Sequence, residues 1–79
     1  MANKETIERV NNELRYGDKG EIATITGLSK VTVNRFFNGK SEDLVDDTHN
    51  KIMDAALIII EDRQRRAKAI EQRATAILQ

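Results

Sequence analysis

The 79-residue chain contains no cysteine, no proline and no tryptophan. Without cysteine there is neither a disulfide nor a thiolate metal site, which fits a reducing cytoplasm. Without proline, glycine is left as the main punctuation, and it occurs only at positions 17, 20, 27 and 39. That spacing marks helix ends in an all-α protein. No apolar run reaches the roughly 18 residues that a membrane span needs. The N-terminus also lacks the apolar core of a signal peptide. Neither sign of charge is in excess, with 13 Lys and Arg against 13 Asp and Glu. This argues mildly against a nonspecific nucleic-acid binder, which is usually basic. The halves differ slightly: residues 1–40 carry 7 basic and 5 acidic residues, residues 41–79 carry 6 and 8. His49 is the only histidine. With no cysteine and no second histidine beside it, a zinc site is not expected. Asp46, Asp47 and Asp54 around it read as electrostatics at a helix start. No nucleophile–base–acid set and no glycine-rich phosphate loop can be assembled, so neither an enzyme nor a cofactor is expected. A chain of this length makes one domain that buries only about 60% of its unfolded surface, so its stability is expected to lean on a partner.

What is present is helical patterning. Ile7, Val10 and Leu14 recur at three and four residues and predict a first helix over residues 3–15, with Asn3 or Thr6 as its N-cap and Gly17 ending it. Residues 19–26 and 30–37 read as two short helices joined by a tight turn. Ile22, Ala23 and Ile25 give the first an apolar face. Ala23 is small where the two helices cross. Gly27 supplies the positive φ that reverses the chain. Ser29 stands where an N-cap belongs. Val33, Phe36 and Phe37 resume the apolar face, and Leu28, Val33 and Phe36 fill the angle between the helices. Asn38 to Ser41 close the second helix and start a polar loop, with Leu44 and Val45 turned inward as a plug. Asp46 is a natural N-cap for a last helix over residues 47–79, and Asp47 favours its positive end. This helix either runs for more than 30 residues or breaks near Glu61–Arg66. Its first half directs Ile52, Ala55, Ala56 and Ile59 inward, with Met53, Leu57 and Ile60 on a neighbouring stripe. Its second half carries Ala67, Ile70, Ala74 and Ile77 at alternating three- and four-residue steps, a short heptad-like seam extended by Leu78.

Two short helices with this turn form the helix-turn-helix pattern, whose second helix enters the major groove in DNA-binding proteins. The run Glu21-Ile22-Ala23, Gly27-Leu28-Ser29, Thr32-Val33, Arg35 and Asn38-Gly39 resembles the headpiece of the lactose-repressor (LacI-type) family. The likeness continues through Val45 to Ile52, with Ala55 and Ala56 where that family also has small residues, and covers roughly residues 20–60. Two features depart from it. A helix precedes the motif, as in the broader lambda-repressor-like group. The chain ends at Gln79, so the family's minor-groove hinge and sugar-sensing domain, and with them a small-molecule effector, are not expected. The resemblance implies an all-α, lambda-repressor-like domain of four to five helices over residues 1–62, and the apolar seam makes residues 63–79 a helical extension expected to serve dimerisation.

The same resemblance assigns base reading to Lys30, Val31 and Arg35 and a backbone role to Ser29 and Thr32. The chemistry of the residues agrees. Arg35 matches guanine O6 and N7 bidentately, and Val31 suits a thymine methyl. Lys30 reaches a guanine or a phosphate, and Asn34 suits phosphate or base hydrogen bonds. Asn38 either contacts phosphate or caps the helix end. Tyr16 either hydrogen-bonds a phosphate or packs at a boundary. Arg63, Arg65, Arg66 and Lys68 are either a second phosphate contact or a solvated face paired with Glu61 and Asp62. The expected function is a sequence-specific DNA-binding regulator that occupies an operator on double-stranded DNA as a homodimer, with the C-terminal seam pairing the copies. The alternative is a protein-interaction module that keeps the motif as a scaffold. The seam itself has two outcomes, pairing with a second copy or folding back onto the first helix.

Overall fold

The structure, a computed structural model, describes residues 3–79. Among these residues the chain is all-α. Four helices follow one another: α1 (Lys4–Glu13), α2 (Asp18–Thr26), α3 (Lys30–Phe37) and α4 (Asp46–Leu78), with a 3-10 turn at Ser41–Asp43 before α4. The long C-terminal helix is 33 residues, roughly 50 Å at 1.5 Å per residue. It sets the long dimension of a molecule that measures 53 × 24 × 19 Å.

Each helix starts for a local reason. Asn3 caps α1, its side chain accepting the Thr6 N–H at 2.8 Å. Ser29 caps α3 in the same way, accepting the Thr32 N–H at 3.1 Å. Gly17, at φ 90°, does not end α1 but opens α2. The first helix instead stops at Glu13, two residues earlier than the sequence predicts, because Leu14 turns extended. Gly27, at φ 74°, closes α2 as expected and gives its N–H to the Ala23 carbonyl. A left-handed residue there carries no Cβ penalty only in glycine. The start of α4 differs from the expectation. Val45, not Asp46, is the residue outside the helix, and no side chain caps it. Asp46 and Asp47 lie in the first helical turn, where their charges complement the helix dipole.

The core sits between α4 and the other three helices. Ile22, Val33, Phe36, Ile52 and Ala56 are fully buried, and Ile7, Val10, Phe37, Ala55, Ile59 and Ile60 close around them. Leu14, Ala23, Leu28 and Leu44 are half-buried against this cluster. Phe36 stands edge-on to both Phe37 and His49, each ring centroid 5.0 Å away. Two residues expected on inward faces, Ile25 and Val45, face solvent instead, and Leu57 on the neighbouring stripe of α4 is exposed. Leu44 and Val45 are both extended, so their side chains point to opposite sides and only one of them reaches the core. Leu44 alone plugs the loop.

Helix α4 does not break at Glu61–Arg66. Its last buried residue is Ile60, Asp62 and Arg63 are half-buried, and every residue from Gln64 onward is exposed. The helix therefore leaves the headpiece and continues alone.

Candidate nucleic-acid interface

Helix α3 has two unlike sides. Val33, Phe36 and Phe37 fix one side in the core. The other carries Lys30, Val31 and Arg35, all exposed, with Thr32 and Asn34 half-buried at its margins. The segment Lys30–Phe37 holds no acidic residue. A helix held by three buried side chains keeps the opposite face in one orientation, which is what preorganised recognition requires.

The candidate residues divide by what they already do. Ser29 and Thr32 are bound to each other, their hydroxyl oxygens 2.8 Å apart, in addition to the N-cap bond. They define where α3 begins. Asn38 is exposed at the other end, and its N–H returns to the Asn34 carbonyl at 2.9 Å and the Arg35 carbonyl at 3.2 Å. The Lys40 N–H also reaches the Arg35 carbonyl, at 3.0 Å, which completes the C-terminal cap. The backbone of Asn38 is thus part of the helix end, with its side chain on the surface.

The structure adds partners that spacing alone does not reveal. Lys30 and Asn34 line a groove of about 420 Å³ together with Arg15, Tyr16, Lys19 and Gly20. The groove runs from the end of α1 over the first turn of α2 to the start of α3. Three cations from three elements meet there. Tyr16 is fully exposed beside them, so it is a surface group and not a boundary packing residue. Lys19 sets its ammonium over an aromatic ring, its Nζ lying 5.6 Å from the centre of the Phe37 ring. A Cβ at Gly20 would stand 4.0 Å from Lys30 Cε, an ordinary contact, so the groove does not depend on glycine there. Each sequence signal was a single Arg or Lys among thirteen, and only the packing of α1, α2 and α3 brings these three together.

Of the acids that flank this region, Glu13 and Glu21 are exposed and one is turned inward. Asp18, in the first turn of α2, is 6% exposed. Its carboxylate accepts the Arg15 N–H at 2.7 Å and Arg63 Nη2 at 2.8 and 2.6 Å through its two oxygens. Arg63 Nη1 also donates to the Glu13 carbonyl at 3.3 Å. Burial pushes the Asp18 carboxyl up, but the Arg15 N–H and the Arg63 guanidinium outweigh it and hold the group below the usual carboxylate range. The pair thereby removes a negative charge from the groove wall and ties the α1–α2 turn to α4.

This placement corrects the reading of the basic cluster on α4. Arg63 is half-buried and turns its guanidinium to Asp18, instead of pairing with Glu61 or Asp62 on a solvated face. Arg66 pairs with Asp62 at 3.0 Å on the same helix, as a solvated face would. Arg65 and Lys68 are exposed. His49 likewise does more than dress a helix start. It is 3% exposed, and its Nε2 lies 2.6 Å from the Ser41 carbonyl. A carbonyl only accepts, so Nε2 carries the proton and Nδ1 is left buried without a partner. The histidine clasps the loop after α3 to the start of α4.

No helix among the described residues is long and apolar enough to cross a membrane. No protein-family model matches the chain, and no curated protein or solved structure matches it either.

Proposed function

We propose that the chain is a sequence-specific binder of double-stranded DNA that regulates transcription by occupying an operator, with α3 lying in the major groove. The observation that carries this reading is the two-sidedness of α3. Its apolar side is locked in the core, while Lys30, Val31, Asn34 and Arg35 face out with no acid among them. The groove beside it supports the same reading. Arg15, Lys19 and Lys30 line a track suited to a phosphate backbone, and Asp18 has been withdrawn from it. In this arrangement Arg35 and Val31 read base edges, Lys30 reaches a base or a phosphate, and Ser29 and Thr32 set the start of the reading helix.

Selection from randomised duplexes at moderate salt tests the proposal, and an enriched site is the expected result. Arg35→Ala then costs about 1–3 kcal/mol at one preferred base pair and leaves the others unchanged. Absence of any enriched site refutes the sequence-specific reading. A second reading, a protein-interaction module built on the same scaffold, is favoured by the exposed Ile70, Ile77 and Leu78 on α4. Salt-dependent binding to duplex DNA separates the two, since an interaction module gives none.

A further inference from the structure

Beyond Arg63, helix α4 continues for 15 residues, 64–78, with every side chain exposed. Isolated helices of about this length are marginal in water. This stretch also carries an ordered apolar stripe. On a wheel of about 100° per residue, Ala67, Ile70, Ala74, Ile77 and Leu78 fall in one arc of roughly 100°. The same arc holds Ile52, Ala56, Ile59, Ile60 and Arg63, which face the headpiece, with the buried Met53 and Ala55 on its flanks. The stripe is the core face of α4 continued past the point where the headpiece stops covering it. Ile70, Ile77 and Leu78 are 64%, 73% and 83% exposed.

We infer that this stripe is covered by the same segment of a second copy of the chain, with the two α4 tails antiparallel about a two-fold axis near residue 72. The inference deepens the DNA-binding reading, which needs two headpieces for a long operator, but its grounds lie in the tail. The first ground is size. In the antiparallel register Ala67 faces the partner's Ile77 and Ile70 faces the partner's Ala74, and symmetry repeats both layers. Every layer then sets one small residue against one large one, which fills space evenly. A parallel pair would stack alanine on alanine and isoleucine on isoleucine, leaving alternate layers too narrow and too wide.

The second ground is steric. A parallel partner helix would descend along the face of α4 that α1 and α2 already occupy. An antiparallel one ends where the headpiece begins. At that end the structure has a notch of about 390 Å³, between Glu21 of α2 and Ile59, Ala67 and Ile70 of α4, with the charged Asp62, Arg63 and Arg66 on its rim. It lies where the partner's Ile77 and Leu78 arrive. The interface is isologous, so each tail fills the other's notch. It removes on the order of 1,000 Å² from water in total, at the lower limit of specific interfaces. Arg73 meets its own copy near the axis, a like-charge contact that salt screens. The pairing is therefore weak, in the micromolar range, and is reinforced when two linked half-sites hold the copies together.

The test uses the full chain without DNA, so that its failure is distinct from failure of the DNA-binding reading. Sedimentation at several hundred micromolar gives a dimer for the wild type. Ile70→Asp raises the dissociation constant about tenfold or more and leaves the headpiece folded, because Ile70 is not in the core. Direction is read by cross-linking, for which the cysteine-free chain is suited. Mixing Ala67→Cys protein with Ile77→Cys protein under mild oxidation gives a cross-linked pair. Ala67→Cys alone gives little. A wild type that stays monomeric at that concentration overturns the inference. So does efficient self-cross-linking of Ala67→Cys, which requires parallel tails.

Discussion

Replacing Arg63 with alanine tests the link between the tail helix and the α1–α2 turn. The guanidinium is about a quarter exposed and the Asp18 carboxylate nearly buried, with side-chain exposures of 27% and 8%. Removing one member of a buried ion pair typically costs about 3–5 kcal/mol, because the other charge stays behind. Two features reduce that here. Arg63 keeps some solvent, and Asp18 retains the Arg15 N–H at 2.7 Å. We therefore expect a loss of about 2–3 kcal/mol at pH 7. For a domain of this size, that lowers Tm by roughly 10–20 °C.

The pH dependence identifies the cause. In the wild type the Asp18 carboxyl titrates below its unfolded value of about 3.9. Its contribution is fully present above that value and is lost as pH falls through the lowered folded value. In Arg63→Ala the guanidinium is gone and burial remains, so this contribution is removed. The gap between the two proteins is then widest at neutral pH and narrows below about pH 4. Thermal and urea unfolding followed by circular dichroism at pH 7 and pH 3.5 measures both. A variant that melts within 2–3 °C of the wild type at pH 7, or a deficit that does not shrink in acid, refutes the reasoning.

Other expectations follow from the same geometry. Lys19→Ala should weaken binding to all duplexes alike and reduce the slope of log affinity against log salt by about 1, as loss of one phosphate contact does; an unchanged slope removes Lys19 from the track. His49→Ala leaves the Ser41 carbonyl buried without its donor and a hole beside Phe36, and should cost about 2–4 kcal/mol in urea unfolding. His49→Gln should recover part of that loss if the hydrogen bond matters, and none if only ring volume does. Ala23→Leu should overpack the approach of α2 and α3 and cost roughly 1–3 kcal/mol; a wild-type melting temperature would show that the two helices have room there.

The motif region was legible because its constraints are local. Gly27, Ser29 and the spacing of Val33, Phe36 and Phe37 each answer to a turn, a cap or a helix face within a few residues, and α3 occupies the positions expected for it. The errors arise where a partner lies far away in sequence. Nothing near Asp18 marks it as buried, because its counter-ion is 45 residues downstream. The same distance hid the inward turn of Arg63, which local composition groups with Arg65 and Arg66. Ile25 and Val45 were misplaced for a different reason. An apolar residue beside a periodic face reads as core, but position relative to a helix end decides which way it points. His49 looked like helix-start chemistry because Asp46 and Asp47 surround it in sequence, whereas its ring faces Phe36 and Ser41 in space.

The neutral total charge, which counts against nucleic-acid binding when read as a sum, loses that force once the charges are placed. Part of the acidic charge is engaged away from the exposed side of α3, while Glu13, Glu21 and Glu42 stay exposed. Asp18 is spent internally on Arg63, and Asp62 faces Arg66 on the tail. Asp46 and Asp47 sit at the start of α4, where the helix dipole accommodates them. Around α3, Arg15, Lys19 and Lys30 line one groove and Arg35 stands on the exposed face. Electrostatic attraction over a few ångströms responds to this local arrangement, because charges beyond a Debye length of about 8–10 Å are largely screened. On the proposed reading, a headpiece with so few cations beside α3 would bind DNA modestly as a single unit. Its affinity then depends on joining two such units, and α4, rooted in the headpiece through Arg63 and apolar along the same face beyond it, is the element of the chain suited to join them.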